Sequence, residues 1–264
     1  MLTYGKVFMG ATNNIQSVDH AIDIVEFLYS IGREASISEI GKGTGMFGST
    51  VYRQLSTLKD RGYVYQNPQN SKYWLGLRFY TIGNMLRQNL PMSDIVGEEA
   101  EEVARKYGQN IFIAVPDYSS ELYAQQIIIY CKYYSQVIIG KEIEVGSVLF
   151  SHGSATGKCM MAYYTDDLIR KYRKSSLVKL TEKTITDWDL LMAELGSIRI
   201  RGYSLDSDEE EEGKTCIAVP IFDGAGNIAA SVSLSGQTKT MFEVPINAIV
   251  RDLREIADQV GKKM

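Results

Sequence analysis

The stretch Ser49-Thr-Val-Tyr-Arg-Gln-Leu-Ser-Thr-Leu-Lys-Asp-Arg-Gly-Tyr-Val64 decides the reading of the first part of the chain. Val51, Leu55 and Leu58 recur at helical spacing and predict a helix with one buried face from about Ser49. Gly62 follows where a helix end takes left-handed backbone. Ser49, Thr50, Tyr52, Arg53 and Gln54 lie off the buried face. They are short donors, an aromatic, a guanidinium and an amide, which suit contacts to phosphates and base edges. An ordinary solvated helix carries such residues too, so the surrounding sequence decides.

Upstream, Val18, Ala21, Ile22, Val25, Leu28 and Tyr29 predict a first helix, capped by Ser17 and closed by Gly32. Ser36-Ile-Ser-Glu39 is a capping box opening a second helix, with Ile37 and Ile40 inward. The four glycines of Gly41-Lys-Gly-Thr-Gly-Met-Phe-Gly48 are expected to break it. Downstream, Tyr63-Val-Tyr65 and Lys72-Tyr-Trp-Leu75 read as short strands around a turn-rich loop. Three helices and a β-ribbon is the order of a winged helix-turn-helix, whose recognition helix enters the major groove by its N-terminal residues. Lys42, Arg53, Lys59, Arg61, Lys72 and Arg78 face a single acid, Asp60, between residues 42 and 78. That window is +5 in a chain of net charge −4, which leaves −9 for the rest. A small basic module on an acidic body fits a DNA-binding regulator.

The chain has 264 residues, 45% of them hydrophobic and 23% charged. That suffices for one large domain or two ordinary ones, with a core that needs no disulfide or metal staple. Disordered and collagen-like classes are excluded. Three scattered cysteines, Cys131, Cys159 and Cys216, form no disulfide framework and no CxxC pair. A reducing compartment follows. No apolar run nears the roughly 18 residues of a membrane span, and residues 1–14 lack a signal peptide's pattern. The expectation is a cytoplasmic protein with no membrane partner.

Beyond residue 90, Ile95, Val96, Val103, Ala104 and Tyr107 predict a helix ending at Gly108. Strands are expected at 110–115, 122–129, 134–139, 216–222 and 228–235, the last two around the hairpin turn Asp223-Gly-Ala-Gly-Asn227. Gly153-Ser-Ala-Thr-Gly-Lys-Cys-Met-Met-Ala162 reads as a loop opening a helix, with further helices at 168–172 and 187–200. Ile246, Ile249, Val250, Leu253, Ile256 and Val260 predict a C-terminal helix. Helices flanking a mostly antiparallel sheet make an α+β domain.

Enzyme motifs are weak. Gly153-Ser-Ala-Thr-Gly-Lys158 misses the phosphate-loop spacing, and Cys159 stands where Ser or Thr would hold magnesium. His20 falls inside the first helix, so His152 is the one histidine open to a C-terminal site. A nucleophilic site from His152, Cys159 or Cys216, and Asp206 lacks a Gly-x-Ser-x-Gly elbow.

The stretch from Ser49 to Val64, with Lys72-Tyr-Trp-Leu-Gly-Leu77 behind it, resembles the IclR family of bacterial and archaeal transcriptional regulators. Gly48 stands where that family often has a basic residue, so the expected phosphate grip there is either weaker or supplied by Lys42. The resemblance continues through Gly157-Lys-Cys-Met-Met-Ala162, Thr184-Ile-Thr-Asp187, Gly202-Tyr-Ser-Leu-Asp206, Cys216-Ile-Ala-Val-Pro-Ile-Phe-Asp223 and Ser231-Val-Ser-Leu-Ser235. Phe150-Ser151-His152 replaces the usual Pro-Leu-His, and the run after Asp206 is unusually acidic. That run is expected to be mostly a solvated loop.

The resemblance implies a winged helix-turn-helix at 1–76, a linker helix at 77–91 and a GAF-like effector-binding domain at 92–264. Leu77, Phe79, Ile82, Met85 and Leu86 give the linker an apolar face for dimerisation, and Pro91 ends it. The implied effector pocket is lined by Ala155, Thr156, Asp206, Cys216, Ser233 and Ser235. Backbone N–H groups at Ala155–Gly157 suit an anion, and Ser233 and Ser235 face one way on a strand. A small carboxylate-bearing metabolite follows, with Asp206 repelling any second negative charge. The implied partners are double-stranded operator DNA, the effector and further copies of the chain, as a homodimer or tetramer, with no cofactor and no catalytic residue. A competing reading makes His152, Asp206 and Cys216 a zinc or catalytic site.

Overall fold

The computed structural model describes residues 15–89, 97–118, 124–132 and 143–262 and divides into two compact units, Met1–Asn89 and Leu90–Met264. In the first unit α1 (Gln16–Ile31) starts after Ile15 without a side-chain cap, so Ser17 does not cap it. It ends at Gly32, whose φ of 62° is left-handed. Its inward face is Ile24 and Leu28, joined by Phe27 and Ile31, while Val18, Ile22 and Tyr29 are exposed. The helix is apolar around most of its circumference, so periodicity alone selected the wrong face, and packing against its neighbours selects Ile24.

α2 (Ile37–Thr44) opens on the expected capping box. The Ser36 N–H donates to Glu39 Oε2 at 2.9 Å and the Glu39 N–H donates to Ser36 Oγ at 3.3 Å. The backbone bond from Ser36, with its hydroxyl and Arg33 behind it, holds the Glu39 carboxyl down at about 2. The glycines do not break this helix where expected. It runs through Gly41 and Gly43 and turns at Gly45. A Cβ on Gly43 would fall 2.0 Å from the Phe27 ring, so this glycine serves the close approach of α1 and α2.

α3 (Gly48–Asp60) buries Val51 and Leu55, and Gly62 takes the left-handed position beyond it. β1 (Val64–Gln66) and β2 (Tyr73–Leu75) pair antiparallel, and Ala35 bridges to Tyr73. Asn67 Nδ2 donates to both Glu34 oxygens at 2.9 and 3.1 Å, and Asn70 Nδ2 donates to Oε2 at 2.9 Å, which anchors the ribbon's loop. α4 (Arg78–Asn89) sets Phe79 edge-on to Tyr63, while Leu77, Met85 and Leu86 are exposed.

The second unit begins with α5 (Gly97–Tyr107), closed by Gly108 at φ 63°. Ile95 and Val96, Leu122 and the expected strand at 134–139 lie outside the described residues. The six-stranded sheet combines β3 (Asn110–Asp117), β4 (Gln125–Lys132), β5 (Val148–Phe150), β6 (Ser204–Ser207), β7 (Lys214–Phe222) and β8 (Ile228–Gln237). The strand order is β5-β4-β3-β8-β7-β6, with every neighbouring pair antiparallel. β6 was not expected as a strand. Ser-Leu-Asp-Ser has little β-propensity, and pairing with β7 alone makes it an edge.

Strand alternation gives this sheet two unlike faces. Ile111 and Ile113, Ile217 and Val219, and Val232 and Leu234 point to one side. They form a single core with Ala100 and Ala104 of α5 and Ile249, Leu253 and Ile256 of α10 (Ile246–Gly261), which follows the short α9 (Thr238–Met241). The other face carries small and polar side chains and packs under α6 (Ala155–Met161). Beside it, α7 (Asp166–Tyr172) and α8 (Trp188–Arg201) share a second core with Phe112, Ala114 and Ile128. A Cβ on Gly157 would sit 2.2 Å from the Ser151 backbone, so glycine lets α6 press onto the turn Ser151–Gly153.

Candidate functional site

Two surfaces collect the residues that sequence reasoning selected. The first is the outer side of α3. Ser49, Tyr52 and Arg53 are exposed, and Thr50 and Gln54 are half-buried. Lys42 is exposed on α2. Lys72 is half-buried beside the ribbon, where its charge helps hold the Glu34 carboxyl low, behind the larger effects of Asn70 and Asn67. Its charge is thus partly engaged by a carboxylate of the same unit. Sequence reasoning missed the Glu34 clamp, because an asparagine-rich turn does not name its partner thirty residues away.

The second surface is the polar sheet face. Register places Asp206 beside Cys216, Cys216 beside Ser235 and Ser235 beside Asn110, in one row across four strands. The next row holds Ser204, Ala218, Ser233 and Phe112. Cys216 Sγ donates to Ser235 Oγ at 2.9 Å, and Ser231 Oγ donates to the Thr156 carbonyl at 3.0 Å. Ala155, Thr156, Asp206, Cys216, Ser233 and Ser235 are all buried. Ser154 caps α6, accepting from the Gly157 N–H at 3.2 Å and from Gln126 Nε2 at 2.6 Å. Of the three N–H groups expected to face an anion, Gly157's is thus taken internally. Ala155 and Thr156 keep the first-turn N–H groups, which lack intrahelical partners.

Asp206 Oδ1 accepts from the Glu209 N–H at 2.8 Å. Among the described residues its Oδ2 is buried with no hydrogen-bond partner, as are Ser204 Oγ and Gln126 Oε1. Burial, with the Glu210 charge added, pushes the Asp206 carboxyl up to about 7.

The acidic run is not a solvated loop. Glu209 pairs with Lys158 at 2.5 Å and Glu210 with Lys214 at 2.5 Å, and both lysines are buried. Asp208 pairs with Lys183 at 2.5 Å and accepts from the Gly213 N–H and the Thr238 hydroxyl, both at 2.8 Å. Burial opposes the Lys214 charge, but Glu210, Cys216 and Asp206 together outweigh it and raise the Lys214 pKa. Sequence reasoning missed this because the compensating lysines stand outside the run.

The zinc or catalytic alternative does not assemble. Among the described residues no three His, Cys, Asp or Glu side chains come together to hold a metal. His152 is buried with Nε2–H donating to the Val178 carbonyl at 2.8 Å, and burial lowers its pKa, so it stays neutral. Burial pushes the Cys216 thiol up to about 12 and the Cys159 thiol higher still. A nucleophile or metal ligand needs the thiolate. Among the described residues no helix is long and apolar enough to cross a membrane.

Known proteins match both units. Residues 17–68 match the model of the IclR helix-turn-helix domain, and residues 87–262 that of the bacterial transcriptional regulator IclR C-terminal domain. The transcriptional regulator KdgR of Escherichia coli is 31% identical over 253 residues, covering 94% of this chain and 93% of KdgR. The Thermotoga maritima IclR structure superposes with a TM-score of 0.72 at 25% identity, covering 95% and 99% of the two chains. An IclR homologue from Microbacterium hydrocarbonoxydans, solved with 4-hydroxybenzoate, shares the fold with a TM-score of 0.79 at 18% identity over 94% and 98%. A basic recognition helix, a polar sheet face under α6 and matches along nearly the whole chain lead to one conclusion: the chain belongs to the IclR family and is a DNA-binding transcriptional regulator.

Proposed function

We propose that operator DNA is held by Ser49, Thr50, Tyr52, Arg53 and Gln54 of α3, with Lys42 and Lys72 on phosphates. A small carboxylate-bearing molecule, bound on the polar sheet face, changes that affinity. The observation that carries the effector half is Asp206 Oδ2, a buried carboxyl oxygen without a partner among the described residues, in one row with Cys216 and Ser235. Such a group is costly unless a bound molecule or water supplies the missing bond. With its pKa raised to about 7, Asp206 is protonated in about half of the molecules at neutrality and in most of them below it. Its O–H then donates to a ligand carboxylate, which removes the repulsion an ionised Asp206 exerts. Ser233, Ser235 and the N–H groups of Ala155 and Thr156 supply the other donors. The 4-hydroxybenzoate held by the Microbacterium protein supports this ligand class.

The effector acts by binding two arrangements of the DNA-binding heads with different affinity. Two heads are needed, because one recognition helix spans too few base pairs. The exposed Leu77, Met85 and Leu86 near and on α4 support packing against a second copy, in a homodimer or a dimer of dimers. The protein performs no chemistry on its ligand and works in the cytoplasm. The test uses the full chain and a duplex selected by it from a random pool, with binding followed by fluorescence anisotropy. Log affinity is expected to fall with log salt by about 0.9 for each phosphate neutralised. At least one acid from a panel of small carboxylates is expected to change the affinity tenfold. A panel without any such acid contradicts the effector half, and a flat salt response contradicts the proposed contacts.

A further inference from the structure

The turn into α3 carries a large side chain that the fold does not use. Phe47 is 85% exposed and lies outside the core of Ile24, Leu28, Ile40, Val51 and Leu55, whereas its neighbour Met46 packs against that core. Phe47 is nevertheless firmly placed. Its carbonyl accepts from the Thr50 and Val51 N–H groups at 2.9 and 3.0 Å, which ties its backbone to the first turn of α3. The chain beside it is bare. A Cβ at Gly45 would meet nothing within 4 Å, and one at Gly48 only Ile37 Cγ2 at 3.7 Å. Glycine at positions 45 and 48 keeps side-chain bulk off the backbone close to the ring.

The same end of the helix presents Ser49 and Arg53, in a window of charge +5. It is the end that a recognition helix directs at base edges. A phenyl ring offers a phosphate neither charge nor hydrogen bond, so Phe47 adds nothing to backbone positioning. In the major groove the apolar group on the base edges is the C5-methyl of thymine. We propose that Phe47 reads a thymine in the operator by packing its ring on that methyl, a sequence-reading contact added to those of Ser49, Thr50 and Arg53. The proposal rests on the reading that α3 enters the major groove.

The test starts from duplexes that the full chain selects from a random pool. Each thymine of the selected half-site is then replaced in turn by deoxyuridine, which removes the methyl and nothing else. At one thymine per half-site the replacement is expected to weaken the parent about fourfold, the equivalent of one buried methyl. The variant Phe47→Ala should bind the thymine duplex with a similar loss and show no further response to deoxyuridine. Phe47→Leu, which keeps an apolar side chain, should retain part of the response, and circular dichroism should show both variants folded. Equal responses of parent and Phe47→Ala at every thymine, or no response in either, overturn the proposal while leaving DNA binding intact. A pool in which the parent enriches no duplex overturns the reading of α3 and this proposal with it.

Discussion

The two faces of the β3-β8-β7 sheet differ more than any two elements of the molecule. One face offers Ile111, Ile217, Val232 and Leu234 to α5 and α10, and the other offers Ser231, Ser233, Ser235, Cys216 and Asp206 to α6. The same strands supply both, one residue apart. The packed core and the proposed effector site are thus separated by side-chain alternation, not by position along the chain. The apolar face is close-packed under α5 and α10. The polar face leaves Asp206 Oδ2, Ser204 Oγ and Gln126 Oε1 without partners among the described residues, a cost that the opposite face offsets.

The largest effect belongs to the apolar face. Leu234→Ala should destabilise the protein by about 2–5 kcal/mol in urea unfolding, because it empties a fully buried site. A loss near zero would break the division of labour. Asp206→Asn tests the other face and should have the opposite sign. The folded carboxyl keeps its proton until about pH 7, whereas the unfolded one releases it near its ordinary value of 3.8. Unfolding therefore releases a proton between these values, and stability falls as pH rises through that window. Asparagine removes this loss. The variant should match the parent at pH 4 and be more stable at pH 8, by on the order of 2–4 kcal/mol. A gain that does not depend on pH would mean that Asp206 is not held protonated. Arg53→Ala lies in the other unit and should weaken duplex binding about tenfold while leaving the melting temperature unchanged. The smallest effect is on the stability of Ser233→Ala with Ser235→Ala, expected within about 1 kcal/mol of the parent. A larger loss would make these hydroxyls structural.

Legibility in the sequence followed the same division. The recognition helix, the ribbon and the hairpin at Asp223–Asn227 announce themselves through local chemistry: apolar spacing, capping residues and turn residues. Ser233 and Ser235 could be placed on one face because strand alternation is local too. What stayed hidden depends on distant partners. α1 is apolar over more than half of its circumference, so its buried face is set by α2 and α3. Gly43 reads as a helix breaker until Phe27 is seen against it. The acids after Asp206 read as solvent-facing until Lys158 and Lys214 are found buried beneath them. The unpartnered oxygen of Asp206 has no sequence signature, since it is defined by what fails to reach it.

The central claim is that the polar sheet face holds the effector. Calorimetry of the full chain against a panel of small carboxylic acids tests it most directly, with the parent and the Ser233→Ala, Ser235→Ala double variant run side by side at pH 6 and pH 8. At least one acid should bind the parent, more weakly at pH 8 than at pH 6 because binding requires the proton on Asp206. The double variant should lose at least about tenfold in affinity for that acid, the equivalent of one charge-assisted hydrogen bond. Equal affinity of parent and double variant for an acid that alters duplex binding would place the effector elsewhere and contradict the account.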